Sequence, residues 1–104
     1  MSKFPFSDLH SFKDYVGFVS MCAPDQFPLR EGVANENQWS LDLAFIGLRE
    51  GLSLAEKEKG PRTEFDECMV LVENAYTHYK EGRENDGFFA LDQVHKILKR
   101  IRTY

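Results

Sequence analysis

GPRTEFDECMVLVENAYTHYKEG, residues 60–82, is the stretch on which the fold turns. Gly60 offers the left-handed position that closes a preceding helix, and Pro61 forbids its continuation. Thr63 is a good N-cap for a new helix, and Glu64, Asp66 and Glu67 put negative charge on its positive end. Phe65, Cys68, Met69, Val72, Ala75, Tyr76 and Tyr79 then recur at spacings of three and four, tracing one helical face, until Gly82 stops the run. A stripe of this kind has to be buried against other helices, so the pattern predicts an all-α bundle.

Upstream, Leu43, Ile46, Leu48, Leu52 and Ala55 carry the same period up to the charged turn Glu56-Lys57-Glu58-Lys59. Asn35 with Gln38 resembles a capping box for this helix, and Ser40 followed by Asp42 and Leu43 offers a later start. At about 20 residues it is the longest predicted element, about 30 Å at 1.5 Å per residue. Further upstream, Ser7 serves as N-cap with Asp8 in the first turn, and Leu9, Phe12, Val16 and Val19 mark a helix that must end before Pro24. Between them, residues 23–36 hold Pro24, Pro28 and Gly32 without a sustained period. Downstream, the polar run Arg83-Glu84-Asn85-Asp86-Gly87 reads as a turn, and Phe88, Leu91, Val94, Leu98 and Ile101 mark the last helix. Short links imply antiparallel neighbours. The expected fold is a single helical domain over 1–104: a four-helix antiparallel bundle, helices at about 7–22, 37–59, 63–81 and 86–102, with one long irregular connection between the first two.

A chain of 104 residues suits one core, since two would each be too small to bury enough apolar surface. Its 42% hydrophobic and 29% charged residues are ordinary for a globular domain. Aromatics are not ordinary: nine Phe, four Tyr and one Trp exceed what so small a bundle core needs, and the surplus points to a partner surface or a homodimer. No run of about 18 apolar residues is present to span a bilayer, and Met1-Ser2-Lys3-Phe4-Pro5-Phe6 lacks the apolar core of a secretory signal, so the chain reads as cytoplasmic and away from membranes. Cys22 and Cys68 read as packed, reduced thiols.

The net charge of -4 is unevenly spread: residues 1–30 sum to 0, 31–60 to -3, 61–87 to -4 and 88–104 to +3. An acidic body argues against nucleic-acid binding, which needs a sizeable basic surface, and favours a basic partner. The cations of the last helix, Lys96, Lys99, Arg100 and Arg102, suit the negative end of the helix dipole and the acidic helices beside them.

Four groups of residues bear on function. Ala44, Gly47, Gly51 and Ala55 form a stripe of small residues whose glycines each cost about 1 kcal/mol of helix propensity, which implies a close helix contact within the chain or across a dimer seam. His10, His78 and His95 with helix-borne carboxylates are the candidate set for a metal-binding or enzymatic bundle. Asp92 and His95 lie one turn apart, as do His10 and Asp14, but the Glu-x-x-His pattern of di-metal bundles does not occur. No metal, cofactor or catalytic residue is therefore expected. Phe4, Phe6, Phe27, Leu29 and Trp39 lie at or beyond helix ends beside prolines, where they either close the core or anchor another chain. Lastly, Ala75 and Tyr79 before Gly82, with Phe89, Ala90 and Leu91 after it, resembles the helical hairpin of a tetratricopeptide repeat over about residues 70–100. No second copy accompanies it, and stacked arrays need several, so no family is assigned. The expected function is a small acidic protein-interaction module of the inhibitor, immunity or regulatory-subunit type. The alternatives are a metal-binding or enzymatic bundle and a self-associating structural homodimer.

Overall fold

Each of the four apolar stripes folds into a helix. A computed structural model describes residues 4–101 and contains α1 (Leu9–Cys22), α2 (Leu41–Lys59), α3 (Thr63–Lys80) and α4 (Glu84–Lys99), with a 3-10 turn at Asn35–Asn37 and no strand among the described residues. α1 packs on α2, α2 on α3, α3 on α4 and α4 back on α1, so the helices enclose one core as a bundle. Three long-range hydrogen bonds tie α1 to the chain around it. The Leu9 N–H donates to the Glu58 carboxylate (3.0 Å), the Tyr15 hydroxyl to the Ala44 carbonyl (2.8 Å), and the Lys13 ammonium to the Ile101 carbonyl (2.7 Å).

Every helix contributes fully buried side chains to this core: Phe12 and Val16 from α1, Phe45 and Leu48 from α2, Cys68 and Val72 from α3, Leu91 and Leu98 from α4. Each large apolar side chain so buried stabilises the fold by about 1.5–3 kcal/mol before entropy is counted. The small-residue stripe of α2 faces α1. A Cβ on Gly47 would collide with the Tyr15 and Phe4 rings, and one on Gly51 with the ring of Phe12. Ala44, Gly47, Gly51 and Ala55 are all buried, and the rings of Tyr15, Phe4 and Phe12 lie against the two glycines, which explains why α2 carries them despite their propensity cost.

Helix ends differ from the expected ones by a few residues, each for a local reason. α1 is capped by Asp8 and not Ser7: Asp8 accepts from the Ser11 N–H (2.9 Å) while the Ser11 hydroxyl oxygen accepts from the Asp8 N–H (3.2 Å), closing a reciprocal box. α2 starts at Leu41 and not 37, because Ser40 caps it through the Leu43 N–H (3.1 Å). Thr63 is the first residue inside α3, whose first turn hangs on the Arg62 carbonyl, and Lys80 is its last. α4 begins at Glu84, inside the run read as a turn, since Glu84 and Asp86 suit the positive end of a helix. Its last residue is Lys99, followed by a tightened turn through Ile101; the expected extension to 102, with Arg102, lies outside the described residues.

Candidate interaction site

Seven of the fourteen aromatic residues form one cluster of rings. Phe4 stacks on Phe6 (centroids 5.8 Å), Phe6 meets Phe12 and Tyr15 edge-on (5.2 and 5.0 Å), and the chain of rings continues through Phe18, Trp39 and Phe27. Phe4 and Phe6 are buried and close the α1–α2 face of the core, while Phe27 and Trp39 are half-buried against it. Leu29, the fifth residue singled out from sequence, is 79% exposed. The five therefore divide: two complete the core, two pack half-buried against it, and Leu29 is exposed to solvent.

The irregular connection between α1 and α2 is held in place by Gln38. Its side-chain carbonyl accepts from the Arg30 N–H (2.7 Å), and its amide donates to the Arg30 carbonyl (2.7 Å) and the Val33 carbonyl (2.8 Å). Arg30, thus positioned, lays its guanidinium over the Trp39 ring at 5.2 Å, a cation–π contact. Phe4, Pro5, Phe18, Arg30 and Trp39 line a concavity of about 440 Å³, and Leu29 directly precedes Arg30 in the chain. Arg30, Gln38 and Phe18 do not stand out as site residues in the sequence. Gln38 carries a signal, three residues after Asn35, but its partner is the loop backbone and not a helix start.

A second polar feature ties α2 to α3. Arg49 donates from Nε to Glu73 (2.6 Å) and from a terminal nitrogen to its other oxygen (3.1 Å), while the Tyr76 hydroxyl donates to Asp42 (2.5 Å) and Lys80 approaches the same carboxylate (3.5 Å). The Tyr76 hydroxyl holds the Asp42 carboxyl below its ordinary value, and Arg49 does the same for Glu73. These groups lie in solvent, so the seam orients two helices more than it stabilises them.

The three histidines sit on different helices. His10 is exposed near the start of α1, His78 accepts from the Arg83 Nε–H (3.0 Å) at the end of α3, and His95 is half-buried on α4 against Gly17 of α1. Among the described residues no three His, Cys, Asp or Glu side chains converge as a metal site would require. Cys68 is buried with its Sγ 4.0 Å from the Val94 carbonyl, and burial, with Glu67 and Glu64 adding to it, pushes the thiol up to about 12, far from a nucleophile at neutral pH. Cys22 is half-buried at the end of α1, and both thiols are free. No helix among the described residues is long and apolar enough to cross a membrane.

No protein-family model matches the chain, and neither a curated protein nor a solved structure matches it.

Proposed function

We propose that this chain is a small cytoplasmic protein-interaction module of the inhibitor, immunity or regulatory-subunit type, acting by binding and not by catalysis. The observation that carries the reading is Leu29, exposed on a connection clamped by Gln38 and one residue before Arg30, which lines an aromatic concavity. An exposed aliphatic side chain on an ordered loop loses little entropy on docking, and Trp, Tyr and Arg are the residues that most often dominate binding energy. The net charge of -4 favours a basic partner by accelerating encounter.

Affinity capture from the native cytosol with the wild type beside Leu29→Lys and Trp39→Ala tests the reading. A partner lost by Leu29→Lys at unchanged far-UV circular dichroism supports it. Full retention by both variants, or turnover of a substrate by the purified protein, overturns it.

A further inference from the structure

The remaining exposed apolar side chains include a set with a distinct arrangement. Between α3 and α4 runs a groove of about 550 Å³ lined by Asp66, Glu67, Val70, Leu71, Gln93 and Ile97. Val70 is 60% exposed, and Phe89, one helical turn before Gln93 on the same stripe of α4, is 63% exposed. From Phe89 to Ile97 the stripe is about 12 Å long, or two turns of helix. The α3–α4 pairing is the most extensive between helices in the described residues, so the two walls of this groove are packed directly on each other.

The geometry points to this groove as the docking site of a basic amphipathic helix on a partner protein, an assignment that rests on the interaction-module reading and names a second surface for it. Two observations select the occupant. The first is charge: the six lining residues include two carboxylates and no cation, and among the described residues neither Asp66 nor Glu67 is in an ion pair. The helix dipole accounts for Asp66 in the first turn of α3, but not for Glu67 beyond that turn, nor for both standing outside any ion pair in a groove lined by exposed Val70. Lys96, the nearest cation on α4 in sequence, is engaged by Asp92 (3.0 Å). The second is backbone chemistry. Both walls are helices whose backbone groups are internally satisfied, so an extended peptide laid against Val70, Leu71 and Ile97 would bury N–H and C=O groups without partners. An incoming helix satisfies its own, and places aliphatic side chains at i, i+4 and i+7 along the apolar floor with lysines reaching Asp66 and Glu67.

The test uses a synthetic alanine–lysine helix of about sixteen residues with three leucines on one face, titrated into the full chain carrying labelled methyl groups. Shifts confined to Val70, Leu71 and Ile97 methyls support the assignment. So does about tenfold weaker binding at low salt by Asp66→Asn/Glu67→Gln, with the difference shrinking as salt is raised. Val70→Lys abolishes binding while circular dichroism is unchanged, as its exposed position allows. Binding that maps to Leu29 and Trp39 instead, or that survives Val70→Lys, overturns the groove and leaves the module reading intact. No binding at millimolar peptide also overturns the groove, and the capture experiment with Leu29→Lys then judges the module reading separately. Sedimentation showing a dimer that Val70→Lys dissociates would put a second copy in the groove and overturn the choice of partner.

Discussion

Gly17 and Gly51 both sit inside helices, yet they answer opposite needs. A Cβ on Gly17 would lie 3.8 Å from the His95 ring, an ordinary contact, so Gly17→Ala recovers helix propensity and is expected to stabilise by about 0.5–1 kcal/mol. A Cβ on Gly51 would run into the ring of Phe12, which is fully buried among other rings and has no room to swing away. Overpacking of about 1–3 kcal/mol outweighs the same propensity gain, and urea denaturation should show Gly51→Ala less stable by about 1–2 kcal/mol. If both substitutions stabilise, α1 does not pack on the stripe as described. A second pair isolates the hydroxyls of two buried tyrosines. Tyr15 donates to the Ala44 carbonyl, so Tyr15→Phe should lose about 1 kcal/mol. The Tyr79 hydroxyl is buried with no hydrogen-bond partner among the described residues, and burial, with Glu84 second, raises its pKa to about 12. Removing an orphaned buried hydroxyl relieves a desolvation penalty, so Tyr79→Phe is expected to be neutral or up to about 1 kcal/mol more stable.

Helix bodies were legible because their signal is repeated: Phe65, Cys68, Val72, Ala75 and Tyr79 give the same answer five times, and all five are buried. Helix ends carry the signal once, and several side chains compete to supply it. Ser7 and Asp8 are both good caps, and the choice fell to Asp8 because Ser11 returns its bond, a pairing that the S/T-x-x-E/Q pattern does not cover. Asn35 and Gln38 have capping spacing, but Gln38 is taken by Arg30 and Val33 across the loop, a contact that no local rule anticipates. The candidate site was legible in the same uneven way. That Phe4, Phe6, Phe27 and Trp39 close the core was one of two readings their places at helix ends allowed, whereas the burial of Phe4 against Gly47 is a long-range fit. Two substitutions probe these elements. Ser40→Ala removes the cap of α2 and should cost about 1 kcal/mol in thermal or chemical unfolding. Gln38→Ala removes three hydrogen bonds that pin the connection, so the Arg30 amide should exchange with solvent much faster while core amides of α3 are unaffected. Equal protection of the Arg30 amide in both proteins would mean that Gln38 does not order the loop.

At the scale of the whole molecule, extents of 36 × 32 × 15 Å describe a thin slab, and Asp8, Asp42 and Glu73 lie on its exposed surface. Three carboxyls stand below their ordinary values: Asp8 through the Ser11 N–H and hydroxyl, Asp42 through the Tyr76 hydroxyl and then Lys80, Glu73 through Arg49. A carboxyl with a lowered folded pKa leaves the unfolded chain holding more protons. Its stabilisation is therefore complete above the ordinary values of 3.8 and 4.5 and is lost as pH falls through the lowered ones. His95 adds a contribution of the same sign at higher pH. Burial, with Lys99 next, holds its pKa below the ordinary 6.5, so the unfolded chain takes up a proton first and stability begins to fall as pH drops below that value. One global effect opposes this: the net charge of -4 shrinks toward the isoelectric point near 5.3, relieving self-repulsion. Substitution separates the local contributions from the global one, because His95→Gln changes the titration and leaves the charge at pH 7 as it was. The melting temperature of the wild type should exceed its pH 5 value at pH 7 by more than that of His95→Gln does, and below pH 4 Asp42→Asn should lose less than the wild type. Were the two pH profiles of wild type and His95→Gln to coincide from pH 7 to pH 5, the packing of α4 on α1 around that imidazole would be looser than described, and the groove walls built on α4 would lose part of their support.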